Sequence, residues 1–162
     1  MKYLIVFFNC ILIHSQESDS LLVWQKNVPL EFNHYKMMVK DSTQYEYSAL
    51  SRLSINVEFE IDNDKVNYSV NTVFHKLKSF IILKDSVVLK HEQLHFDITE
   101  LYVRKFREQL ERLVVNQNIK IQMNQIHVAI NEALDNTQKV YDEQTNHSIN
   151  IDAQNYWENY IK

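Results

Sequence analysis

The residues best suited to chemistry form the segment His91-Glu92-Gln93-Leu94-His95. Residues four apart lie on one face of a helix, so the two imidazoles can bind one cation, and the pattern predicts zinc. Glu92 lies one step round the helix, where it can reach a water on that cation without being a ligand. Zinc lowers the pKa of a bound water to about 7, so Glu92 can take its proton, direct the hydroxide at a carbonyl, and return the proton to the leaving amine.

This segment lies within a strongly periodic stretch of the chain. Apolar residues recur at steps of three and four from Asp85 to about Leu113, which predicts an amphipathic helix whose inner face carries both histidines. Asp85 or Ser86 can cap its start. The alternative interpretation is a pair of hydrogen-bonded core histidines, and the presence of Glu92 between them favours the metal site.

Two further helices are predicted on the C-terminal side of this one. A second long helix is expected from about Asn118 to Lys139, and a short last helix from Ile151 to Ile161. Residues 140–150, which lie between them, are polar and are predicted to be irregular.

The predicted strands all precede the helices. Residues 53–61 alternate apolar and polar side chains, which is typical of a half-buried strand, and residues 66–74 mostly keep that alternation. The turn Asp62-Asn63-Asp64-Lys65 would make the two an antiparallel pair, and a third strand is predicted over residues 79–83. Strands followed by helices favour an α+β fold, with a small antiparallel sheet packed against the active-site helix and a second long helix.

The composition is that of one globular domain. The chain has 162 residues, of which 45% are apolar and 23% charged, and no Gly/Ser linker divides it. Glycine is absent and Pro29 is the single proline. Turns that need a positive φ must therefore use Asn and Asp, which tolerate that region better than other side chains.

Residues 1–16 have the pattern of a signal peptide, with Lys2 followed by an apolar run from Tyr3 to Ile13. That run is too short to span a bilayer, so a cleaved export signal is favoured over a membrane anchor or a buried strand. The mature domain would then be residues 17–162, in the periplasm or outside the cell. Removal of Cys10 leaves no cysteine for a disulfide. With 16 basic and 21 acidic residues, the mature chain is an unlikely partner for nucleic acid.

A catalytic zinc commonly takes three protein ligands and keeps one position for water, so a third ligand must lie elsewhere. His127 borders the inner face of the second helix, and His147 lies in the polar stretch after it. An acidic residue is a further option. Glu100 and Asp97 point away from the histidines, and Asp97 fits better as a hydrogen-bond acceptor for a histidine or for the local backbone.

The segment from Leu89 to Ile98 closely resembles the His-Glu-Gln-x-His-Phe-Asp-Ile signature of an uncharacterised bacterial family of secreted, predicted zinc-dependent proteases of the zincin type. Elements near both ends of the mature chain are similar to that family too: Trp24, Pro29, Leu30, Tyr141, Asp142, Thr145, His147, Gln154 and Trp157. The chain departs from the family pattern at Ser148, where the family has Gly.

The resemblance implies a zincin-like domain with His147, in preference to His127, as the third zinc ligand. It also implies that Tyr141 stands near the site, where its hydroxyl could stabilise an oxyanion. A packed loop anchor is the alternative role for Tyr141.

The leading hypothesis is an exported zinc metallopeptidase that hydrolyses peptides or proteins through a zinc-bound water activated by Glu92. A non-catalytic zinc-containing scaffold or binding protein of the cell envelope is the second hypothesis. A zinc amidase that acts on cell-wall peptides is the third. The sequence leaves the substrate and the oligomeric state open.

Overall fold

The structure, a computed structural model, describes residues 19–44, 47–62 and 65–161, and the predicted signal over residues 1–16 lies outside them. The strands are β1 (Leu21–Val23), β2 (Ala49–Leu50), β3 (Leu53–Asp62), β4 (Lys65–His75) and β5 (Phe80–Ile81), and the α-helices are α1 (Ser86–Glu111), α2 (Ile119–Thr145) and α3 (Ile151–Ile161). Short 3-10 helices cover Phe32–His34, Ser42–Gln44 and Lys76–Lys78. The α+β prediction is confirmed.

The main sheet has the order β1-β4-β3, and its two long strands pair antiparallel from Leu53 opposite Phe74 to Asp62 opposite Lys65. The predicted pairing of the alternating segments is therefore confirmed, while the turn residues Asn63 and Asp64 lie outside the described residues. β3 occupies one edge of the sheet because β4 is its only partner strand among the described residues.

The third strand, predicted over residues 79–83, is present but shorter than predicted. The strand covers only Phe80 and Ile81, and they pair with β2 in a separate two-stranded sheet. Ser79 turns its hydroxyl back to the carbonyl of His75 and accepts a hydrogen bond from the amide of Arg52. These hydrogen bonds hold the chain in a turn at the end of the β3–β4 hairpin, before it continues to α1.

The first helix begins as predicted, with the carboxylate of Asp85 accepting a hydrogen bond from the amide of Val87 at 2.6 Å. The second helix runs six residues beyond the predicted end at Lys139, so the prediction of an irregular segment over 140–150 was wrong up to Thr145. Tyr141 and Thr145, one turn apart, are both fully buried. Their packing keeps this polar sequence helical, as tertiary contacts often override local propensity.

The main core lies between the β3–β4 face, α1, α2 and α3. Its members with little or no exposed surface include Val70, Ile98, Val103, Phe106, Met123, Ile130, Tyr141 and Trp157. A smaller cluster of Leu30, Phe74 and Phe96 covers the other end of the sheet. No helix among the described residues is long and apolar enough to cross a membrane.

Buried polar residues fasten α1 to its surroundings. Glu100 accepts a hydrogen bond from Thr72 of β4 at 2.9 Å and pairs with Arg104 and Arg107. Arg107 also donates to the carbonyl of Val70. These contacts fix the distance between the helix and the sheet. They thereby also fix the position of His95 and His91, five and nine residues before Glu100.

Asp97, on another side of α1, accepts hydrogen bonds from the indole nitrogen of Trp24 at 2.7 Å and from Gln93. The prediction that Asp97 would accept a hydrogen bond from a histidine or from the local backbone was therefore wrong. Asp97 instead ties the segment after β1 to the helix.

Replacement of Glu100 by Ala should lower the free energy of unfolding by about 3 kcal/mol, because it removes one partner of a buried charge network and leaves the Thr72 hydroxyl without its acceptor. Glu108 is the matched control, since it is exposed on the same helix and also pairs with an arginine four residues on. Glu108→Ala should change stability by less than about 0.5 kcal/mol. Urea unfolding followed by circular dichroism measures both, and equal losses would contradict the assigned role of Glu100.

Candidate metal centre

Three side-chain atoms from α1 and α2 meet at one point. Asp142 Oδ1 lies 3.1 Å from His91 Nε2 and 2.9 Å from His95 Nε2. The two Nε2 atoms lie 3.1 Å apart. His91 and His95 are brought together by their helical spacing, as predicted, and Asp142 reaches them from the facing helix. This arrangement of two imidazoles and one carboxylate can hold a metal ion.

The side chain of Gln138, one turn before Asp142 on α2, orients His95. Its amide nitrogen donates to the carbonyl of His95 at 2.9 Å and to the hydroxyl of Thr99 at 3.1 Å. Its oxygen is thereby turned towards His95 Nδ1 and accepts a hydrogen bond from it. A proton on Nδ1 leaves the lone pair of Nε2 free to face Asp142.

Gln154 of α3 orients His91 in the same way. Its amide nitrogen donates to Glu158 at 3.2 Å, so its oxygen faces His91 Nδ1, 3.3 Å away. The same oxygen accepts a 2.6 Å hydrogen bond from Tyr141. Each histidine therefore has a glutamine oxygen at Nδ1 and its Nε2 turned towards Asp142, which is the orientation that a metal ligand needs.

The electrostatics of the group favour positive charge at its centre. Burial opposes ionisation of Asp142, but the contacts with His91 and His95 outweigh it and hold the pKa of that carboxyl well below its usual range. Burial disfavours charge on His95, but Asp142 and Glu92 outweigh it and raise the pKa of this imidazole. A proton and a metal cation would compete for the same place, since metal ligands must be deprotonated.

The spacing of the three atoms also fits zinc. Ligand atoms bonded to zinc at about 2.0–2.1 Å in a tetrahedral arrangement lie about 3.3 Å from one another. The observed separations of 3.1, 2.9 and 3.1 Å are close to that value. Small side-chain adjustments would therefore be enough for these residues to hold the ion.

His147 lies beside this group at the end of α2. Its Nδ1 is 3.6 Å from Asp142 Oδ1, and its ring packs against Tyr47 with 4.9 Å between centroids. The group with metal-compatible spacing among the described residues consists of His91, His95 and Asp142. Zinc ligation by His147 stays a prediction.

His127, the alternative third ligand, is exposed and packs against Phe106. It precedes Asp142 by fifteen residues on the same helix, which places it about 22 Å away along the axis.

Asp142 was named in the sequence analysis only as part of the family resemblance and was not predicted as a ligand, although an acidic third ligand was left open. The helical spacing from Gln138 to Asp142 places both side chains on the face that meets α1. That relation was hidden because the second helix was expected to end at Lys139. The buried residues Tyr141 and Thr145 were the signal that the helix continues.

Tyr141 lies behind the histidines. Its ring stacks on that of His91 with 4.6 Å between centroids and an interplanar angle of 20°. Its hydroxyl is bonded to Gln154 and lies 3.2 Å from the carbonyl of His91. Burial raises the pKa of this phenol well above its usual range, so it stays protonated as a donor. In this arrangement Tyr141 positions His91, and oxyanion stabilisation by its hydroxyl stays a prediction.

Glu92 faces a cleft of about 850 Å³ that also contains the three metal-compatible side chains. The residue is 5% exposed, and no hydrogen bond or ion pair links its carboxylate to another described residue. Since no buried side-chain oxygen of the described residues lacks a hydrogen-bond partner, the Glu92 carboxylate must reach the surface of the cleft. It is therefore available to a water molecule or a substrate in the cleft.

The edge of β3 that has no partner strand among the described residues forms another wall of this cleft, which Leu53, Ser54 and Ile55 line. The amide of His75 donates to the carbonyl of Arg52, so the carbonyl of residue 52 faces β4. In an antiparallel pair the direction alternates, so the amides and carbonyls of Leu53 and Ile55 face away from β4. An extended peptide could pair with them.

The loop after α2 has three successive residues with positive φ: Asn146 at 47°, His147 at 50° and Ser148 at 77°. The expectation that positive φ would be confined to Asn and Asp in a chain without Gly is confirmed at Asn146 and wrong at His147 and Ser148. Such a backbone costs a residue with a Cβ about 1 kcal/mol or more. The loop sets the place of His147 and the start of α3, which carries Gln154.

The fold and this site define an α+β protein with a metal-compatible group of two histidines and one aspartate beside a cleft. The chain belongs to the DUF922 family, described as a bacterial protein of unknown function, whose model matches residues 35–148. The match covers β2 to β5, α1, all of α2 and the loop with His147. Comparisons with curated proteins and with solved structures found no match.

Ser148→Gly should raise the free energy of unfolding by about 1 kcal/mol, because glycine adopts a φ of 77° without the steric cost of a Cβ. Ser148→Ala is the matched control and should give no gain, since it keeps the Cβ. Thermal unfolding of the three proteins checks this expectation. Equal stabilities of the Gly and Ala variants would show that the loop is not strained at this position.

Proposed function

We propose that the protein is a zinc-dependent metallopeptidase, exported by way of the predicted signal at residues 1–16. One observation carries the proposal: the metal-binding atoms of His91, His95 and Asp142 converge, and the carboxylate of Glu92, which has no hydrogen-bond partner among the described residues, shares their cleft. Two histidines and a carboxylate are a known ligand set of catalytic zinc in peptidases.

Zinc in this group would supply Lewis acidity that lowers the pKa of a water molecule to about 7 and polarises a peptide carbonyl. Glu92 takes the proton of the attacking water and transfers it to the amine nitrogen that leaves. Gln138 and Gln154 hold the two imidazoles in the tautomer required. Tyr141 supports His91 from behind.

The substrate in this proposal is an extended peptide that adds to β3 as a further strand. The outward amides and carbonyls of Leu53 and Ile55, which line the cleft, give it hydrogen-bonding partners. Strand addition recognises the backbone and fits a peptidase that accepts unstructured protein.

Asp142 is the third ligand in this proposal, and His147 is the alternative.

A structural zinc would need four protein ligands and no open position. The described residues supply three atoms in mutual reach, next to an open cleft. This supports a catalytic centre over a scaffold. A zinc amidase that acts on cell-wall peptides would use the same residues. Assays with a cell-wall peptide and with an unfolded protein as alternative substrates distinguish the two activities.

Zinc affinity tests the ligand set. The wild-type chain should bind about one zinc ion, and Asp142→Ala should weaken binding by at least about a hundredfold, because it removes a ligand. His147→Ala should change the affinity by less than about tenfold, since its ring lies beside the group. Competition with a chromogenic chelator measures both. A larger loss from His147→Ala would assign the third ligand to His147.

Glu92→Gln tests the catalytic base. This variant should still bind one zinc ion but lose at least about a thousandfold in cleavage of an unfolded protein, because the amide cannot accept the proton. Glu108→Gln, on the exposed side of the same helix, is the control and should cleave normally. A Glu92→Gln protein that still cleaved at the wild-type rate would rule out this mechanism.

A further inference from the structure

The wall of the cleft formed by α2 continues well beyond the metal-compatible group. Asn131, Asp135, Gln138 and Asp142 all line the cleft. Their spacing of four, three and four residues places them on one face of the helix. Asp135 lies seven residues, or two turns, before Asp142, which is about 10 Å along the helix axis.

Two hydrogen-bond acceptors line this part of the cleft and receive no hydrogen bond from another described residue. The amide nitrogen of Asn131 donates to the carbonyl of His127 at 2.8 Å, which leaves its oxygen as the free end. The exposed carboxylate of Asp135 forms no hydrogen bond or ion pair with any other described residue. An acceptor pair one turn apart suits a group rich in donors, such as an ammonium or a guanidinium.

Asp135 lies away from the metal-compatible group, unlike the other carboxylates of the described cleft lining. Asp142 belongs to the metal-compatible group and Glu92 stands beside it. Among the described residues that line the cleft, Asp135 is the one carboxylate besides Asp142 and Glu92, while Arg52 and His147 line the cleft as well. The acidic charge of the lining away from the centre therefore lies at Asp135.

We infer that Asp135 and Asn131 bind a cationic group of the substrate peptide. The inference rests on the proposed peptidase function and names its specificity. An extended peptide advances about 3.3 Å per residue, so a distance of about 10 Å along α2 corresponds to about three residues from the cleaved bond. The cation is a Lys or Arg side chain or the free N-terminal amine, and the two sources share the same chemistry.

The test uses zinc-loaded protein and two sets of quenched fluorescent peptides. In one set the residue about three positions before the cleaved bond is Lys, Gln or Glu, and in the other set the residue about three positions after it is varied in the same way. Each peptide is made with a free and with an acetylated N-terminus. The wild-type protein should prefer the cationic form by about five- to tenfold in kcat/KM, and less at high salt. A preference that survives acetylation identifies the side chain, and one that acetylation removes identifies the terminal amine.

Asp135→Asn should bring the preference close to one, and Asp135→Lys should shift it to Glu peptides. Glu132→Gln, which changes an exposed acid of α2 outside the cleft, should keep the wild-type ratio. Peptide binding to the zinc-loaded Glu92→Gln protein, measured by fluorescence anisotropy, gives the same comparison without turnover.

Equal use of cationic and neutral peptides by the wild type, or an unchanged ratio in Asp135→Asn, would overturn the inference while leaving the peptidase intact. If no peptide or unfolded protein is cleaved, the proposed function fails, and the anisotropy ratios still decide whether Asp135 selects a cation.

Discussion

The convergence of His91 Nε2, His95 Nε2 and Asp142 Oδ1 is the constraint on which the rest of the structure depends. Three acceptor atoms about 3 Å apart repel one another unless a positive charge lies between them. The lowered pKa of Asp142 and the raised pKa of His95 likewise show that the group is stabilised by a positive charge at its centre. In the proposed function zinc supplies that charge, and the binding energy of the metal holds the two helices together.

Much of the fold serves to keep those atoms in place. Gln138 comes from α2 and Gln154 from α3, so each histidine is oriented by a different helix. Trp157 packs on Tyr141 and donates to Gln144, which fixes α3 against α2. Glu100 anchors α1 to β4 on the far side. The cleft edge of β3 is then held at a set distance from Glu92.

The local sequence pattern was sufficient for the α+β class, the β3–β4 pairing and the start of α1, because these follow from periodicity and capping. It failed where tertiary packing decides. Tyr141 and Thr145 extend α2 through a polar segment, and Phe80 pairs with β2 instead of the main sheet. His91, Glu92 and His95 were found from their spacing within one helix. Asp142 was not, since its role depends on how two distant helices pack.

The most direct test of the account is anomalous X-ray diffraction from a crystal of the zinc-loaded protein, recorded on both sides of the zinc absorption edge. The account predicts one strong zinc peak, bonded to His91 Nε2, His95 Nε2 and an oxygen of Asp142 at about 2.0–2.2 Å, with the remaining position open to the cleft beside Glu92. A peak elsewhere, a fourth protein ligand that closes the site, or no zinc at these residues would contradict it.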